Sequence, residues 1–450
     1  MYDNGTMTAH IKLPENAAKI ISLLEAAGFC AFVVGGCVRD VLLGRSPGDW
    51  DICTDARPQE AIAALQDITV LETGLKHGTV TAIIDHKPIE ITTFRLDGDY
   101  ADHRRPDSVT FTEDLTADLS RRDFTVNAIA YHPDSGPIDP FNGQDDLQNK
   151  IIRCVGDPKK RFEEDALRIL RALRFSATLG FAIEEGTTAA LLELRESLRY
   201  VAAERVQAEL IKLLCGMDAR RVLLEYREII FSLMPQLKPM DGFDQRTPWH
   251  CHDIWGHTCA AVEAIPPEPR LRWAALLHDS GKPSCFVYEK GSGHFHGHPA
   301  VSENIARDIL GQLKCSRKLT EAVAILIGHH ELRILEDCSA KRLKRLLGQF
   351  GEEILLDLLE LARADVTAQA PEKLYRLEAY EPLREEIIRL AASRACVTRG
   401  QLAVNGNDLL QFGLNGPALG RVLDQLLEEV LEGRLENTRE SLLDYAARKK

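Results

Sequence analysis

Two aspartates separated by one tryptophan, Asp49 and Asp51, open a segment, DWDICT, that alternates like a β-strand. Residues spaced i, i+2 on a strand project from one face, about 6–7 Å apart along the chain. Two convergent carboxylates suit Mg²⁺, which prefers oxygen ligands, and a pair of such ions can activate an attacking hydroxyl and stabilise a leaving pyrophosphate. A lone DxD is more commonly a solvated loop, so the neighbouring residues must decide between the two interpretations.

The segment before these aspartates has the features of a phosphate site. Gly35 and Gly36 follow a short apolar strand, AFVV, and their lack of Cβ atoms lets a phosphate approach the backbone N–H groups. Arg39 can then bind a triphosphate oxygen through two N–H groups. Glu90, in the strand-like segment IEITTFR, could add a third carboxylate, although an exposed strand residue fits its position nearly as well. A plain tight turn beside a surface arginine is the alternative interpretation of the glycines and Arg39.

A second group of charged residues lies in the helix-forming segment EEDALRILRALRF, residues 163–175. Asp165, Arg168, Arg171 and Arg174 recur every three residues, which predicts a charged ridge along one helix. A salt-bridged, solvated helix face would explain this pattern. Base recognition would explain it as well, because Asp165 can only accept hydrogen bonds and Arg168 can only donate them. Cytosine and adenine share an amine beside a ring-nitrogen acceptor, whereas guanine and uracil show the reverse order, so the pair matches C and A.

A third group is rich in histidine. His257, His278, Asp279 and Asp365 fit the H…HD…D pattern of HD-domain metal hydrolases, with His278 and Asp279 in the run HDSGK. Imidazole and carboxylate ligands suit a divalent transition metal or Mg²⁺. His298 and the pair His329-His330 could add ligands for a second ion. The alternative is a chance scatter of 14 histidines, some of which cap helices.

The composition limits the class of protein. The 450 residues are 45% hydrophobic and 27% charged, which indicates a globular protein of roughly three domains. No apolar run reaches the roughly 18 residues of a membrane helix, and the N-terminal residues lack a secretory pattern. The 11 cysteines form no CxxC pair, so reduced thiols and a cytoplasmic location are expected.

The charge distribution permits an RNA partner. The net charge is −13, but residues 150–174 carry eight lysines and arginines against four acidic residues. An acidic protein that binds nucleic acid must concentrate its positive charge in this way.

The pattern of segments predicts an α+β domain followed by helices. Strand-like and helical segments alternate up to a loop-rich boundary at residues 131–144, and helical spacing dominates afterwards. The predicted domains are a catalytic head, a helical neck, an HD domain and a helical tail, at residues 1–150, 151–235, 236–370 and 371–450.

Four motifs, in this order, resemble those of the class II tRNA nucleotidyltransferases, the CCA-adding enzymes, and of the related bacterial poly(A) polymerases. Their head domain belongs to the nucleotidyltransferase superfamily of DNA polymerase beta. The motifs are GGCVRDVLLG with DWD (35–51), RRDFTVNAIAY (121–131), IDPFNGQDDL (138–147) and EEDALRILRALRF (163–175).

The resemblance implies a fold, a reaction and partners. The fold would be a polymerase-beta-like head followed by an all-α neck, HD body and tail that bind tRNA. The reaction would add C, C and A to tRNA 3′ ends from CTP and ATP, releasing pyrophosphate with Mg²⁺ on Asp49 and Asp51. Arg122, Arg171 and Arg174 would contact the nucleotide, and the polar arm 95–111 would help to switch the site from C to A.

Other activities stay open at this point. One is addition of only A or only CC, or poly(A) synthesis. Another is an HD phosphohydrolase whose N-terminal half merely binds nucleotides, although the intact DWD motif argues against it.

Overall fold

The computed structural model of the chain describes residues 11–97, 109–336, 339–393 and 396–448. These residues form two compact units. The first consists of Met1–Asp218 with Glu225–Leu233, and the second of Ala219–Leu224 with Met234–Lys450. Of the helices in the described ranges, none has the length and apolar character needed to cross a membrane.

Of the strands that the described residues form, all but β12 and β13 lie in the first unit. In chain order they are β1 (Ala31–Val34), β2 (Asp51–Thr54), β3 (Thr69–Leu71), β4 (Thr79–Ile84), β5 (Lys87–Thr93), β6 (Arg95–Asp97), β7 (Val109–Phe111), β8 (Ala130–His132), β9 (Gly136–Ile138), β10 (Ile151–Ile152), β11 (Ala182–Ile183), β12 (Val287–Glu289) and β13 (Ser292–His294).

One seven-stranded sheet positions the paired aspartates, with the strand order β3-β4-β5-β2-β1-β8-β9. The apolar strands β1 and β2 lie near its middle and are largely buried, as expected for a sheet that is covered on both faces. Strand β2 pairs antiparallel with β1 and parallel with β5. Asp51, the first residue of β2, therefore lies on a central strand of the sheet.

The α-helices of the described residues are distributed over both units. They are α1 (Glu15–Ala26), α2 (Gly36–Leu42), α3 (Pro58–Ala64), α4 (Leu115–Ser120), α5 (Gly143–Asn149), α6 (Pro158–Glu164), α7 (Leu167–Leu179), α8 (Glu185–Glu193), α9 (Ala203–Leu214), α10 (Ala219–Glu225), α11 (Arg227–Leu233), α12 (Ile254–Ala264), α13 (Pro269–Leu277), α14 (His298–Gln312), α15 (Arg317–Gly328), α16 (Ala340–Thr367), α17 (Tyr380–Ala392), α18 (Gly406–Leu410), α19 (Gly416–Leu431) and α20 (Arg439–Arg448).

The predicted fold class, an α+β head followed by helices, is confirmed. Strand β7 pairs with β6 in a two-stranded sheet that is separate from the seven-stranded one. Short strands also occur after the head, in the parallel pair β10–β11 and the hairpin β12–β13. Residues 98–108 of the predicted switching arm lie outside the described residues, and the domain boundaries at 150, 235 and 370 remain predictions.

The second unit is almost entirely helical. Its long helix α16 is interrupted at Gly351, whose φ of 76° is not helical. Helices α12, α13 and α16 contact one another and bring together residues that are about 110 positions apart in the chain. In the tail, the side chain of Asn405 caps α18 by accepting hydrogen bonds from Asn407 N and Asp408 N.

Candidate functional site

The glycine, aspartates and arginines that the sequence assigned to catalysis and nucleotide binding line one cavity of about 550 Å³ in the first unit. They are Gly36, Arg39, Asp49, Asp51, Arg122, Asp165, Arg168, Arg171 and Arg174. The full lining contains seven arginines against four aspartates, so the cavity suits a polyanion. Its volume lies within the range of small-molecule sites, about 300–1,000 Å³.

Two aspartates lie at the end of the cavity that is built by the sheet, and a glutamate lies on the neighbouring strand. Asp51 is the first residue of β2 and lies directly opposite Glu90 of β5, while Asp49 precedes it by two residues. Burial, and then the negative charges of Asp49 and Glu90, raise the pKa of Asp51 to about 6. A cation at this position would relieve that repulsion, so the residues present fit Mg²⁺.

Glu90 does not complete a close triad with the two aspartates. Among the described residues, the groups of three or more His, Cys, Asp or Glu side chains whose ligand atoms lie within 4.8 Å of one another are both in the second unit. Glu90 is also outside the cavity lining. Its role as a third catalytic carboxylate remains a prediction that the geometry does not favour.

The glycine turn leads directly into α2 and lies beside Arg122. Gly35 has a φ of 82°, which an L-residue adopts only with strain, and Gly36 begins the helix. A Cβ atom at Gly35 would lie 3.2 Å from Nη1 of Arg122. The same guanidinium lies 3.2 Å from Asp118 and offsets part of the rise in the pKa of Asp51, so it supplies positive charge near the carboxylates.

Arg39 is held by a chain of hydrogen bonds that connects α2 to α7. Its Nη1 donates to Asn127 Oδ1 at 2.7 Å, and Asn127 Nδ2 donates to Asp123 Oδ1 at 3.0 Å. Asp123 Oδ2 accepts from Arg171 Nη2 at 2.6 Å. Burial alone would raise the pKa of Asp123, but Arg171 and Asn127 outweigh it and hold the pKa at about 2. This network orients two arginines of the cavity, and Asn127 is a member that the sequence analysis missed.

Asp165 lies outside the helix on which the sequence analysis placed it. The segment 163–175 is two helices, because Asp165 has extended backbone angles, φ −142° and ψ 103°, at the end of α6. Helix α7 begins at Leu167, whose N–H donates to Asp165 Oδ1 at 3.1 Å. The predicted ridge of four residues is therefore wrong for Asp165, since a short acidic side chain there accepts from the start of the second helix instead of continuing the first.

The Asp165 carboxylate is also paired with an arginine from a more distant part of the chain. Arg205, on α9, donates from Nη2 to Asp165 Oδ2 at 2.8 Å. Arg168 is nine-tenths buried, and its Nη1 donates to Glu164 Oε2 at 2.7 Å while its Nη2 donates to the carbonyl of Arg121 at 3.0 Å. Asp165 and Arg168 therefore both border the cavity in fixed orientations.

Three of the cavity's arginines surround the buried ring of Phe175. The guanidinium carbons of Arg174, Arg39 and Arg171 lie 3.8, 5.0 and 5.4 Å from the ring centroid. Arg174 Nε lies 2.7 Å from Glu209 Oε2, close enough for an ion pair, although neither atom makes a well-aligned hydrogen bond. Burial lowers the pKa of Arg174 to about 10, which leaves it charged at neutral pH.

A second, separate constellation lies in the second unit. The ligand atoms of His257, His278, Asp279 and Asp365 all lie within 4.8 Å of one another, so the structure brings together the four residues of the predicted HD site. His257 Nε2 is 2.9 Å from Asp365 Oδ1, and His278 Nε2 is 3.3 Å from Asp279 Oδ2. His257, His278 and Asp279 are at most 1% exposed.

The surroundings of this constellation decide which other histidines belong to it. His298 and His330 lie close to Asp279, whereas the ring of His329 packs against Phe350, 4.8 Å between centroids. The sequence analysis missed Lys282, whose Nζ is 2.7 Å from Asp279 Oδ2, although it belongs to the quoted run HDSGK. A cavity of about 240 Å³ opens onto the two aspartates.

Comparisons with known proteins define the class first. Residues 31–153 match the model of the poly A polymerase head domain, residues 180–240 that of the RNA- and SrmB-binding site of polymerase A, and residues 298–446 that of tRNA nucleotidyltransferase domain 2. These matches, together with the fold and the cavity, place the chain in the class of nucleotidyltransferases.

Full-length relatives narrow the class to one family. The chain is 36% identical to a CCA-adding enzyme of Geobacillus stearothermophilus, with 95% of each chain covered, and 35% identical to one of Limosilactobacillus fermentum, with 96% of each covered. It resembles the crystal structure of the Bacillus stearothermophilus CCA-adding enzyme in complex with CTP, with a TM-score of 0.73, 32% identity and 98% of each chain covered. The chain therefore belongs to the family of the CCA-adding enzymes.

Proposed function

We propose that the cavity of the first unit adds C, C and A to the 3′ end of tRNA from CTP and ATP, with release of pyrophosphate. The convergence of the two aspartates, the glycine turn and the arginines on one cavity supports this proposal. Membership of the CCA-adding family supports the choice of tRNA as acceptor. The ten cysteines in the described residues are free thiols, as expected for an enzyme that works in the cytoplasm.

Asp49 and Asp51 would hold Mg²⁺, which, when bound, favours ionisation of the tRNA 3′-hydroxyl and neutralises the leaving pyrophosphate. The chain itself positions the reactants. The N–H groups of the glycine turn and the guanidinium of Arg39 bind the triphosphate, and Arg122 adds positive charge where negative charge develops on the α-phosphate.

The base would be selected at the other end of the cavity by Asp165 and Arg168. Asp165 accepts a hydrogen bond from the exocyclic amine of C or A, and Arg168 donates to the adjacent ring nitrogen. Uracil and guanine would place a carbonyl against the carboxylate and an N–H against the guanidinium. Each such mismatch costs about 1–3 kcal/mol, which corresponds to roughly 5- to 150-fold.

Labelled nucleotides and tRNA that lacks its 3′ CCA would test the activity. The expected products are tRNAs longer by two residues with CTP alone and by three with CTP and ATP together. Asp49→Ala and Asp51→Ala should each lower the rate by ~10²–10³ or more while tRNA binding persists. Asp67→Ala, which removes an exposed carboxylate from the same domain, is the matched control. Addition of A alone, of CC alone or of long A tails would instead identify one of the related activities.

The metal-ligating cluster of the second unit favours a second function. We propose that His257, His278, Asp279 and Asp365 bind a divalent transition metal and that this site hydrolyses phosphoesters. Support comes from three ligands with at most 1% exposure whose ligand atoms converge with those of Asp365. A buried cluster of this kind is costly to keep unless a cation or proton network satisfies it.

A double variant, His278→Ala with Asp279→Ala, separates the two functions. It should lose the hydrolysis of 2′,3′-cyclic nucleotides in the presence of Ni²⁺, Co²⁺ or Mn²⁺, because two of the four ligands are removed. It should keep nucleotide addition, provided that circular dichroism shows an intact fold. If the unmodified protein hydrolyses no phosphoester and binds none of these metals, the second unit is a scaffold only.

A further inference from the structure

Asp118, on α4, is a fully buried carboxylate that does not line the nucleotide cavity. Its Oδ1 accepts from Arg121 Nε at 2.9 Å and from Arg121 Nη2 at 2.8 Å, and its Oδ2 accepts from Arg122 Nη2 at 3.2 Å. Oδ1 also accepts from the backbone N–H of Arg95 at 3.2 Å. Both arginines line the cavity, so a charge that is buried away from the nucleotide holds two charges that face it.

The first group that Asp118 holds is the guanidinium of Arg122. This guanidinium lies beside the glycine turn, since a Cβ atom at Gly35 would be 3.2 Å from its Nη1. Its Nε is buried without a hydrogen-bond partner. Within the part of the chain that the structure describes, Asp118 is the only side chain that accepts a hydrogen bond from it. Without Asp118, the guanidinium would therefore lose the contact that sets its orientation.

The second group is the backbone at the C-terminal end of α4, which holds Arg168. Arg121 follows the last residue of α4, and its carbonyl oxygen accepts from Arg168 Nη2 at 3.0 Å. The carbonyl oxygen of Ser120 accepts from Arg161 Nη1 at 3.2 Å. The last carbonyl groups of a helix have no partner inside it, so arginines can satisfy them. Because Asp118 holds the side chain of Arg121 through two hydrogen bonds, it also restrains the carbonyl that orients Arg168.

We propose that Asp118 is a positioning residue for nucleotide addition, which orients Arg122 toward the triphosphate and, through Arg121, Arg168 toward the base. The rate of the reaction and the choice of base then depend on the same buried carboxylate. This role rests on the proposed addition of C, C and A. It requires no contact between Asp118 and the nucleotide.

Asp118→Asn tests both effects in the full-length protein. The substitution keeps the size of the side chain but replaces one acceptor oxygen by an amide group that cannot accept from a guanidinium. The kcat for CTP should fall by roughly 10²-fold with a smaller change in KM, because misplaced charge at the α-phosphate weakens the transition state most. The ratio of kcat/KM for CTP to that for UTP should fall by roughly fivefold or more, because Arg168 is less well oriented.

Asp114→Ala is the matched control on the same helix. The side chain of Asp114 is exposed and caps α4 by accepting from Thr116 N at 2.8 Å, so its removal weakens the helix without touching an arginine of the cavity. This variant should keep the rate and the nucleotide ratio of the unmodified protein. Equal changes in Asp114→Ala and Asp118→Asn would show that only the stability of α4 matters and would overturn the proposal.

Double variants test the two routes separately. In an Arg122→Met background, Asp118→Asn should lower kcat no further, and in an Arg168→Ala background it should lower the nucleotide ratio no further. Full additional losses in these backgrounds would mean that Asp118 does not act through the two arginines. If Asp118→Asn does not fold, Arg121→Met breaks the same ion pair from its partly exposed side and should still lower the nucleotide ratio. An unchanged ratio in that variant would overturn the route to Arg168.

The outcome for the unmodified protein separates this role from the proposed function. If the unmodified protein incorporates no CTP into tRNA that lacks its 3′ CCA, the proposed addition is wrong and the role of Asp118 is overturned with it. If the unmodified protein is active and selective and Asp118→Asn matches it in kcat and in nucleotide ratio, the role of Asp118 alone is overturned.

Discussion

The proposed role of Asp165 in base selection can be tested separately from its structural role, because the structure shows a second partner for this residue. Asp165 borders the cavity, accepts from the N–H of Leu167, and pairs with Arg205. Asp165→Ala removes both the acceptor for the base and the partner of Arg205. Arg205→Met removes only the ion pair and leaves the carboxylate in place.

The expected magnitude follows from the hydrogen bonds involved. Without the carboxylate, the amine of C or A is buried without an acceptor, which costs about 1–3 kcal/mol, whereas the carbonyl of U or G loses a repulsive neighbour. The ratio of kcat/KM for CTP to that for UTP should fall by roughly 5- to 150-fold in Asp165→Ala. Arg205→Met should lower the ratio less, because Leu167 N–H still orients the carboxylate. Arg168→Ala should relax selection in the same direction as Asp165→Ala.

Single-turnover incorporation of all four nucleotides on tRNA that lacks its terminal residues measures this ratio. Glu185→Gln, an exposed carboxylate on α8, is the control for a general change of charge. Equal loss of activity with every nucleotide in Asp165→Ala would show that the residue does not contact the base. An equal loss of selectivity in Arg205→Met would show that Asp165 acts only by positioning the neighbouring helices.

Three further predictions concern stability and the arm. The pKa of Asp123 is about 2 against an ordinary 3.8, because Arg171 and Asn127 outweigh the effect of burial. The ionised carboxylate therefore stabilises the fold by about 2 kcal/mol above pH 4, and this contribution is lost as the pH falls through about 2. Asp123→Asn should therefore lower the free energy of unfolding in urea equally at pH 7 and pH 5, and a difference between these values would contradict the assignment. Gly35→Ala should lower the Tm because its φ of 82° strains an L-residue, whereas Gly36→Ala, at an ordinary helical position, should lower it less or not at all. Deletion of residues 98–107 should leave addition of CC and suppress the terminal A, and equal loss of both would make the arm structural.

Much of the nucleotide site could be predicted from the sequence because its chemistry is encoded locally. The i, i+2 spacing of Asp49 and Asp51, the apolar strand before Gly35 and the donor-only character of arginine are properties of short segments. Asp49, Asp51, Gly35 and the arginines all line the cavity. The order of the motifs also indicated the family that the comparisons established.

The partners of these residues were decided by tertiary packing. Arg205 and Glu209 are four positions apart on α9, which packs against α7. Arg205 pairs with Asp165, and Glu209 pairs with Arg174. Nothing in the local sequence distinguishes them from solvated charges on an amphipathic helix. The break at Asp165 was missed for a related reason, since glutamate, alanine, leucine and arginine dominate the segment and favour a helix. The contacts of the Asp165 carboxylate interrupt that helix.

The histidines show the same division between local pattern and packing. The sequence contained the HD pattern, but it could not distinguish between the adjacent residues His329 and His330. In the structure they follow the end of α15, where His330 faces Asp279 and His329 packs against Phe350. The sequence determined which groups can ligate metal or contact nucleotide. The fold determined which of them converge, because convergence depends on helices whose positions are set by burial of their apolar faces many residues away.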